Sequence, residues 1–495
     1  MNLGPNIFSA FFIGLEFVLP EIGIQRRWEI MEKEQTLSRG LKNRHVQLLA
    51  IGGAIGTGLF LGSGRSIHLA GPSILLAYMI TGVICFCVMR ALGELLLSNL
   101  RYHSFVDFVY DYMGEQAAFI TGWTYWFCWI SLAMADLTAV GMYVQYWLPF
   151  IPQWIPSFAA LFILVAMNLS AVKYFGEMEF WFALIKVIAI VGLIGVGLFM
   201  IASGFHTPAG TVSFSNLWSY GGWFPHGSEG FILSFQMVVF AFTGIELVGL
   251  TAGETADPSR VIPSAINHIP IRIILFYIGA LAVIMCIYPW SYMSPEKSPF
   301  VQVFAAAGIA AAGGIVNFVV LTSAASACNS GIFSTSRMVY SLAGEKNAPG
   351  AFGQLTIHSV PANGILFSAA VILISVLLNY FMPEEVFVLI TSVSTFCFIY
   401  IWAVMVWCHM KYRKSLPDKD EKRPFSMPFF PYMSYLIFGF FLFVIAVLAL
   451  NSETRIALFV TPLWFFMMAA LYRVMKDQEK NHAAEDSTPA EEKDV

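Results

Sequence analysis

The feature that most limits what this chain can fold into is a succession of charge-free apolar runs that recurs from about residue 46 to about residue 474. Many exceed the roughly 18 residues that a bilayer-crossing helix needs and a soluble core helix rarely reaches. In lipid the backbone must satisfy its own hydrogen bonds, so runs of this kind form helices. They occupy roughly 46–64, 73–97, 117–147, 155–172, 180–203, 230–253, 271–292, 303–336, 363–382, 386–410, 431–450 and 456–474. The stretch from 137 to 172 carries no charge, but Pro149, Pro152 and Pro156 divide it into two spans. The predicted fold class is an all-α integral membrane protein of about twelve transmembrane helices, with both termini on one side.

Composition agrees with this. The chain is 58% hydrophobic and 12% charged, where a soluble domain carries about 25% charged residues to wet its surface. The formal net charge of −4 offers no basis for a nucleic-acid partner. All seven cysteines (Cys85, Cys87, Cys128, Cys286, Cys328, Cys397 and Cys408) fall in apolar spans without Cys-x-x-Cys spacing, as small buried hydrophobes do. No histidine sits mid-span, so neither a metal nor a haem site is predicted.

Lys and Arg in short loops are retained on the cytoplasmic side. One set of loops holds Arg39, Lys42, Arg44, Arg101, Lys173, Arg260, Arg272, Lys346, the cluster from Lys411 to Arg423, and Lys476. The alternate set holds little beyond Arg65, Lys297 and Arg455. Cytoplasmic termini are predicted. Residues 1–43 form an N-terminal cytoplasmic segment, in which 1–30 read as a start-site extension with Met31 as an alternative start. Residues 44–475 form the transmembrane domain, and the polar stretch 476–495 reads as a disordered tail.

Two spans are interrupted. Span 1 reads Ile51-Gly-Gly-Ala-Ile-Gly-Thr-Gly-Leu-Phe60, and span 6 carries Phe240-Ala-Phe-Thr-Gly-Ile-Glu-Leu-Val-Gly249. Small residues of this kind also serve close helix packing. Spans 1 and 6, however, hold corresponding places in two halves of five, as in transporters built from inverted repeats. Each such helix unwinds near the midplane, so that amides face an anion and freed carbonyls face a cation. A zwitterionic amino acid presents both charges.

The segments Arg44–Phe60, Met89-Arg-Ala-Leu-Gly-Glu-Leu95, Gly176-Glu-Met-Glu-Phe-Trp-Phe-Ala-Leu-Ile-Lys-Val187 and Phe242-Thr-Gly-Ile-Glu-Leu247 resemble bacterial amino acid permeases of the amino acid/polyamine/organocation superfamily. Gly122–Trp129, Gly222-Trp-Phe-Pro225 and Asn317–Ser326 resemble most closely the transporters of D-serine, D-alanine and glycine. Permeases for proline or aromatic amino acids share the first motifs and are the alternative. The resemblance implies a LeuT-type fold, with repeats at 44–205 and 228–411 and two added helices at 431–475. It also implies residence in the inner membrane and import of substrate with protons. By motif, Ala54, Gly56, Thr57 and Gly58 would hold the substrate carboxylate and part of its ammonium. Carbonyls near Phe240 and Thr243 would complete the ammonium site, with Phe240 as a gating aromatic.

A charge near the bilayer centre costs about 3 kcal/mol or more, so each one calls for a reason. Lys186 lies about six residues into span 5. A structural salt bridge is one account, and a proton-linked role is preferred, because losing the proton relieves the cost of burial. Ser323, Ser326 and Ser330 share one face of span 8, and the family analogy lets Ser323 and Ser326 receive the Lys186 ammonium. Glu246 is a substrate or proton group, or an acceptor for orphan amides; both readings stand. Asp136 faces the substrate chamber or pairs with a hydroxyl. Glu94 and Arg90, one turn apart, read as a stabilising pair. The aromatic run Trp123, Tyr125, Trp126 and Trp129 reads mostly as packing. A membrane-embedded enzyme would need a nucleophile with a base or a metal cluster, and neither pattern is present. No cofactor beyond a proton gradient is expected, and the partners are amino acid, protons and lipid, with oligomeric state left open.

Overall fold

The structure, a computed structural model, describes residues 55–486 apart from 101, 103, 171, 248–257, 307–309, 358 and 417–424. The first 54 residues, with the N-terminal segment expected there, lie outside the described residues. Among those described the chain is helical, save one hairpin that pairs His206–Thr207 with Gly210–Thr211.

Nine stretches are long and apolar enough to cross a membrane. The first of them, Gly58–Ser98, doubles back through the short turn Gly71–Ser73, so it holds the second part of span 1 and all of span 2. Together with the shorter apolar helices Trp154–Asn168 and Gly227–Phe240, these account for the twelve expected spans. Span 2 is Ile74–Ser98, span 3 Glu115–Val144, span 4 Trp154–Asn168, span 5 Val172–Ala202 and span 6 Gly227–Phe240. Span 7 is Pro258–Ile287. Span 8 is Ala310–Gly344, span 9 Ala362–Phe381, span 10 Val386–Ser415, span 11 Tyr432–Leu450 and span 12 Ala457–Asp486.

Two details depart from expectation. Pro156 does not break its helix: it sits in the first turn of span 4, where a missing N–H leaves no bond unmade. Span 12 continues to Asp486, so the stretch 476–486, expected to lack structure, extends that helix. Residues 487–495 lie outside the described residues.

Burial sorts the helices into a centre and a periphery. In spans 3 and 10, 78% of the most apolar window is buried within the protein, against 28% in span 5 and 11% in span 12. Spans 3 and 8 pack along one another more extensively than any other described pair, and span 10 also packs on span 3. Span 6 packs on spans 1, 2 and 10. Rings such as Phe199, Phe459 and Phe466 face outward, where lipid is the solvent.

A short amphipathic helix, Phe105–Met113, precedes span 3. Ser104 and Asp107 close its first turn as a capping box, and Phe105, Phe108 and Val109 turn its apolar face inward. The ring of Phe105 meets that of Tyr125 edge to face at 4.6 Å, which fixes a phenol at the heart of the bundle.

Candidate functional site

In their described parts, residues 55–62 and 240–247, both spans are irregular, and they meet at Gly58 and Ala241. Gly58–Gly62 forms a π-type turn before the α-helix Ser63–Ala70. Span 6 ends its α-helix at Phe240 and continues as turns to Glu246, with Gly244 at φ 91°. A side chain at Gly244 would be strained at that φ. A Cβ on Gly58 would lie 2.6 Å from the Cα of Ala241, so only glycine lets the two backbones approach this closely. Ala54, the first residue assigned to the substrate carboxylate, lies outside the described residues.

The break in span 1 is bonded to charged and polar neighbours on other helices. Thr57 Oγ1 donates to Asp136 Oδ1 at 2.7 Å, and Ser323 Oγ donates to the carbonyl of Ile55 at 3.4 Å, tying span 8 to span 1. Asp136 is fully buried, and its Oδ2 has no hydrogen-bond partner among the described residues. Of the two readings left open for Asp136, it pairs with a hydroxyl, and that hydroxyl stands at the break itself. Gly56 lies beside it, where an added Cβ would come within 3.9 Å of Oδ1.

The break in span 6 is satisfied largely from within. The carbonyl of Phe240 accepts from the Thr243 amide at 3.1 Å and from Thr243 Oγ1 at 2.7 Å. The carbonyl of Ala241 accepts from Tyr277 at 3.1 Å, and Tyr277 comes from a π-type segment of span 7, Ile273–Gly279. The Phe240 carbonyl, expected to face a substrate ammonium, therefore already accepts two bonds. Glu246 is fully buried and accepts from Tyr125 at 3.3 Å and from Trp402 Nε1 at 3.2 Å, which ties span 6 to spans 3 and 10.

Lys186 is 2% exposed, within Coulombic reach of Glu179 on its own helix and of Asp136 on span 3. Glu179 is held by Ser326 Oγ at 2.8 Å and by Asn329 Nδ2 at 3.2 Å, and Asn168 of span 4 donates to Asn329 at 2.7 Å. The Ser326 hydroxyl thus donates to a carboxylate that the sequence reading did not name. An ammonium only donates, so a hydroxyl that gives its proton to a carboxylate keeps lone pairs that can accept from it. Glu179, Asn168 and Asn329 were not singled out from the sequence. The usable signal is spacing: Glu179 and Lys186 are seven residues apart, two helical turns, and share a face.

The family model described as amino acid permease matches residues 45–485. The chain belongs to this family. It is 68% identical over 443 residues to the uncharacterized transporter YdgF of Bacillus subtilis, covering 90% of this chain and 97% of that one. It is 67% identical to the amino-acid permease AapA of the same organism, over 89% and 96% of the two chains. The D-serine/D-alanine/glycine transporter of Escherichia coli K12 is 54% identical, over 88% and 93%. The protein is a multi-pass membrane permease that moves amino acids, and not an enzyme.

In the permease the pairing read for Glu94 and Arg90 is replaced by a larger cluster. Glu94 accepts from His409 Nε2 at 2.9 Å and from the amide of Met427 at 2.9 Å, with Arg413 Nε 2.7 Å away. Arg90 instead donates to the carbonyl of Ser426 and to Asn267 Oδ1. Residues 90 and 94 share a helix face, but span 10 and the loop before span 11 supply the partners of Glu94, and span 7 with that loop supplies those of Arg90. The aromatic run of span 3 mostly packs, as expected: Trp126 stacks on Phe367 and donates to Ser368, and Trp123 donates to the carbonyl of Asn347. Tyr125, bonded to Glu246, is the exception. All seven cysteines are buried thiols.

Proposed function

We propose that the permease imports small neutral amino acids, with glycine, D-alanine and D-serine as best substrates, by symport with protons through alternating access. The substrate class rests on one observation: 54% identity, over most of both chains, to a transporter of D-serine, D-alanine and glycine. The substrate sits where the two breaks meet, with its carboxylate on the amides around Gly56, Thr57 and Gly58. Phe240, buried and edge to face with Phe387, serves as the gating ring, and Thr243 and Glu246 shape the far wall.

Coupling to protons rests on Lys186, which is buried, and on the Ser323 contact that joins spans 1 and 8. An ammonium there replaces a coupling sodium ion, and its charge holds the two spans together until the proton leaves. Both termini face the cytoplasm of a bacterial inner membrane, by the Lys and Arg asymmetry of the loops.

The test is uptake of labelled glycine into vesicles, competed by D- and L-alanine, D- and L-serine, proline and phenylalanine. Glycine, D-alanine and D-serine are expected to compete best. No saturable glycine uptake, or stronger competition by proline or phenylalanine than by D-alanine and D-serine, overturns the substrate assignment in favour of the sister permeases.

A further inference from the structure

We propose that Asp136 and Glu179 are the two stations between which Lys186 passes the transported proton, and that the cluster carries one proton per cycle. Asp136 is bonded to Thr57 at the break, and Glu179 is bonded to Ser326 and Asn329 of span 8. This inference rests on the proton-symport reading above and gives that reading a path.

The first support is charge. Lys186, Asp136 and Glu179 are 2%, 0% and 4% exposed. Fully ionised, one ammonium and two carboxylates leave a net charge of −1, which is costly to bury. One added proton makes the cluster neutral. The remaining groups facing it are neutral at physiological pH in their ordinary state: Tyr143 and Cys328 near Asp136, and the amide and hydroxyls of Asn329, Ser326 and Ser330 around Glu179. Glu246 belongs to a separate set with Tyr125, Trp402, Cys85 and Cys128.

The second support is position. Spans 3 and 5, both odd-numbered, run in the same direction. Asp136 lies eight residues before the end of span 3, and Glu179 seven residues after the start of span 5, so the two carboxylates stand toward opposite faces. Lys186 is two turns, about 10 Å, along span 5 from Glu179.

The third support is the free oxygen. Asp136 Oδ2 is buried with no protein partner among the described residues, while Thr57 occupies Oδ1. An oxygen so placed can take up a proton without breaking a bond to the protein.

The transfer balances as follows. With the proton on Asp136, the Lys186 ammonium faces the Glu179 carboxylate. No ion pair or hydrogen bond joins Lys186 to either carboxylate among the described residues, so each transfer follows a swing of the lysine side chain: the ammonium gives a proton to Glu179, and the amine so formed turns to Asp136 and takes its proton. Lysine ends as it began, and one proton has moved from Asp136 to Glu179.

The experiment uses the full-length protein in proteoliposomes, with labelled glycine and an imposed pH gradient of about one unit, without sodium. One coupled proton then supports about tenfold accumulation. Absence of accumulation by the wild type defeats the proton-symport reading itself, whatever the variants do. Given a coupled wild type, Glu179→Gln and Asp136→Asn are expected to drop accumulation to about onefold, with glycine counterflow reduced far less. Glu179→Asp is expected to restore accumulation with a shifted pH profile. A variant of either carboxylate to its amide that still concentrates glycine as the wild type does overturns the proposal. Accumulation and counterflow falling in step, with the Glu179→Asp pH profile unmoved, also overturns it, because that pattern marks a structural role. Should Glu179→Gln fail to fold, the Glu179→Asp profile decides by itself: a shift supports the relay, and none refutes it.

Discussion

The two interrupted helices solve the same backbone problem in opposite ways. Span 6 closes its backbone break largely from within, through the Thr243 amide and hydroxyl on the Phe240 carbonyl and the Tyr277 hydroxyl on the Ala241 carbonyl, and borrows Tyr125 and Trp402 only for the Glu246 side chain. Span 1 leans on other helices: Thr57 on Asp136 of span 3, and Ile55 on Ser323 of span 8. A break that satisfies itself keeps its shape as its surroundings move. One that borrows partners transmits any change in their position or charge. On the proposed mechanism, the backbone of span 6 keeps its shape beside the substrate, while span 1, which also holds the substrate carboxylate, answers to Asp136.

The largest expected effect tests where the two breaks meet. Gly58→Val is expected to abolish glycine uptake at normal membrane abundance, since a Cβ there overlaps the backbone of Ala241. Gly56→Ala is expected to keep most of it, because a Cβ at Gly56 meets its nearest neighbours at 3.9 and 4.0 Å, ordinary contact. Equal losses in both would show that close approach is not what selects glycine here.

The borrowed bond comes next. Thr57→Val removes the hydroxyl hydrogen bond to Asp136 Oδ1, at a cost of about 2 kcal/mol. Uptake should fall by tenfold or more. In an Asp136→Asn background the same substitution should cost much less, because the two residues act as one unit. Additive losses in that double-mutant cycle would separate Thr57 from Asp136 and break the contrast between the spans.

The self-satisfied break should be the most tolerant. Thr243→Val removes one of two donors to the Phe240 carbonyl and leaves the amide in place, so about 1 kcal/mol or less is at stake. Glycine KM is expected to rise by a few-fold, with the pH dependence of accumulation unchanged. A shifted pH profile in this variant would mean that span 6 also carries coupling.

What the sequence determined by itself follows from local chemistry. Runs of apolar residues too long for a soluble core give the spans, and the glycines of Ile51–Phe60 together with Phe240–Gly249 mark where two of them loosen. Lys186 and Glu246 stood out because a charge in lipid needs a reason wherever it points. Partners are a different matter. Asp136 and Thr57 are separated by 79 positions, Ser326 and Glu179 by 147, and Glu246 and Trp402 by 156, so no pattern along the chain brings them together. Glu94 shows the same limit from the other side: its neighbour at one helical turn was legible, but the arginine and histidine that bond it lie on span 10, 315 or more positions away. Helical periodicity fixes which face a residue occupies. Only the packing of helices fixes what that face meets, because hydrogen-bond geometry is decided within a few tenths of an ångström, by side chains that the fold draws from distant parts of the chain.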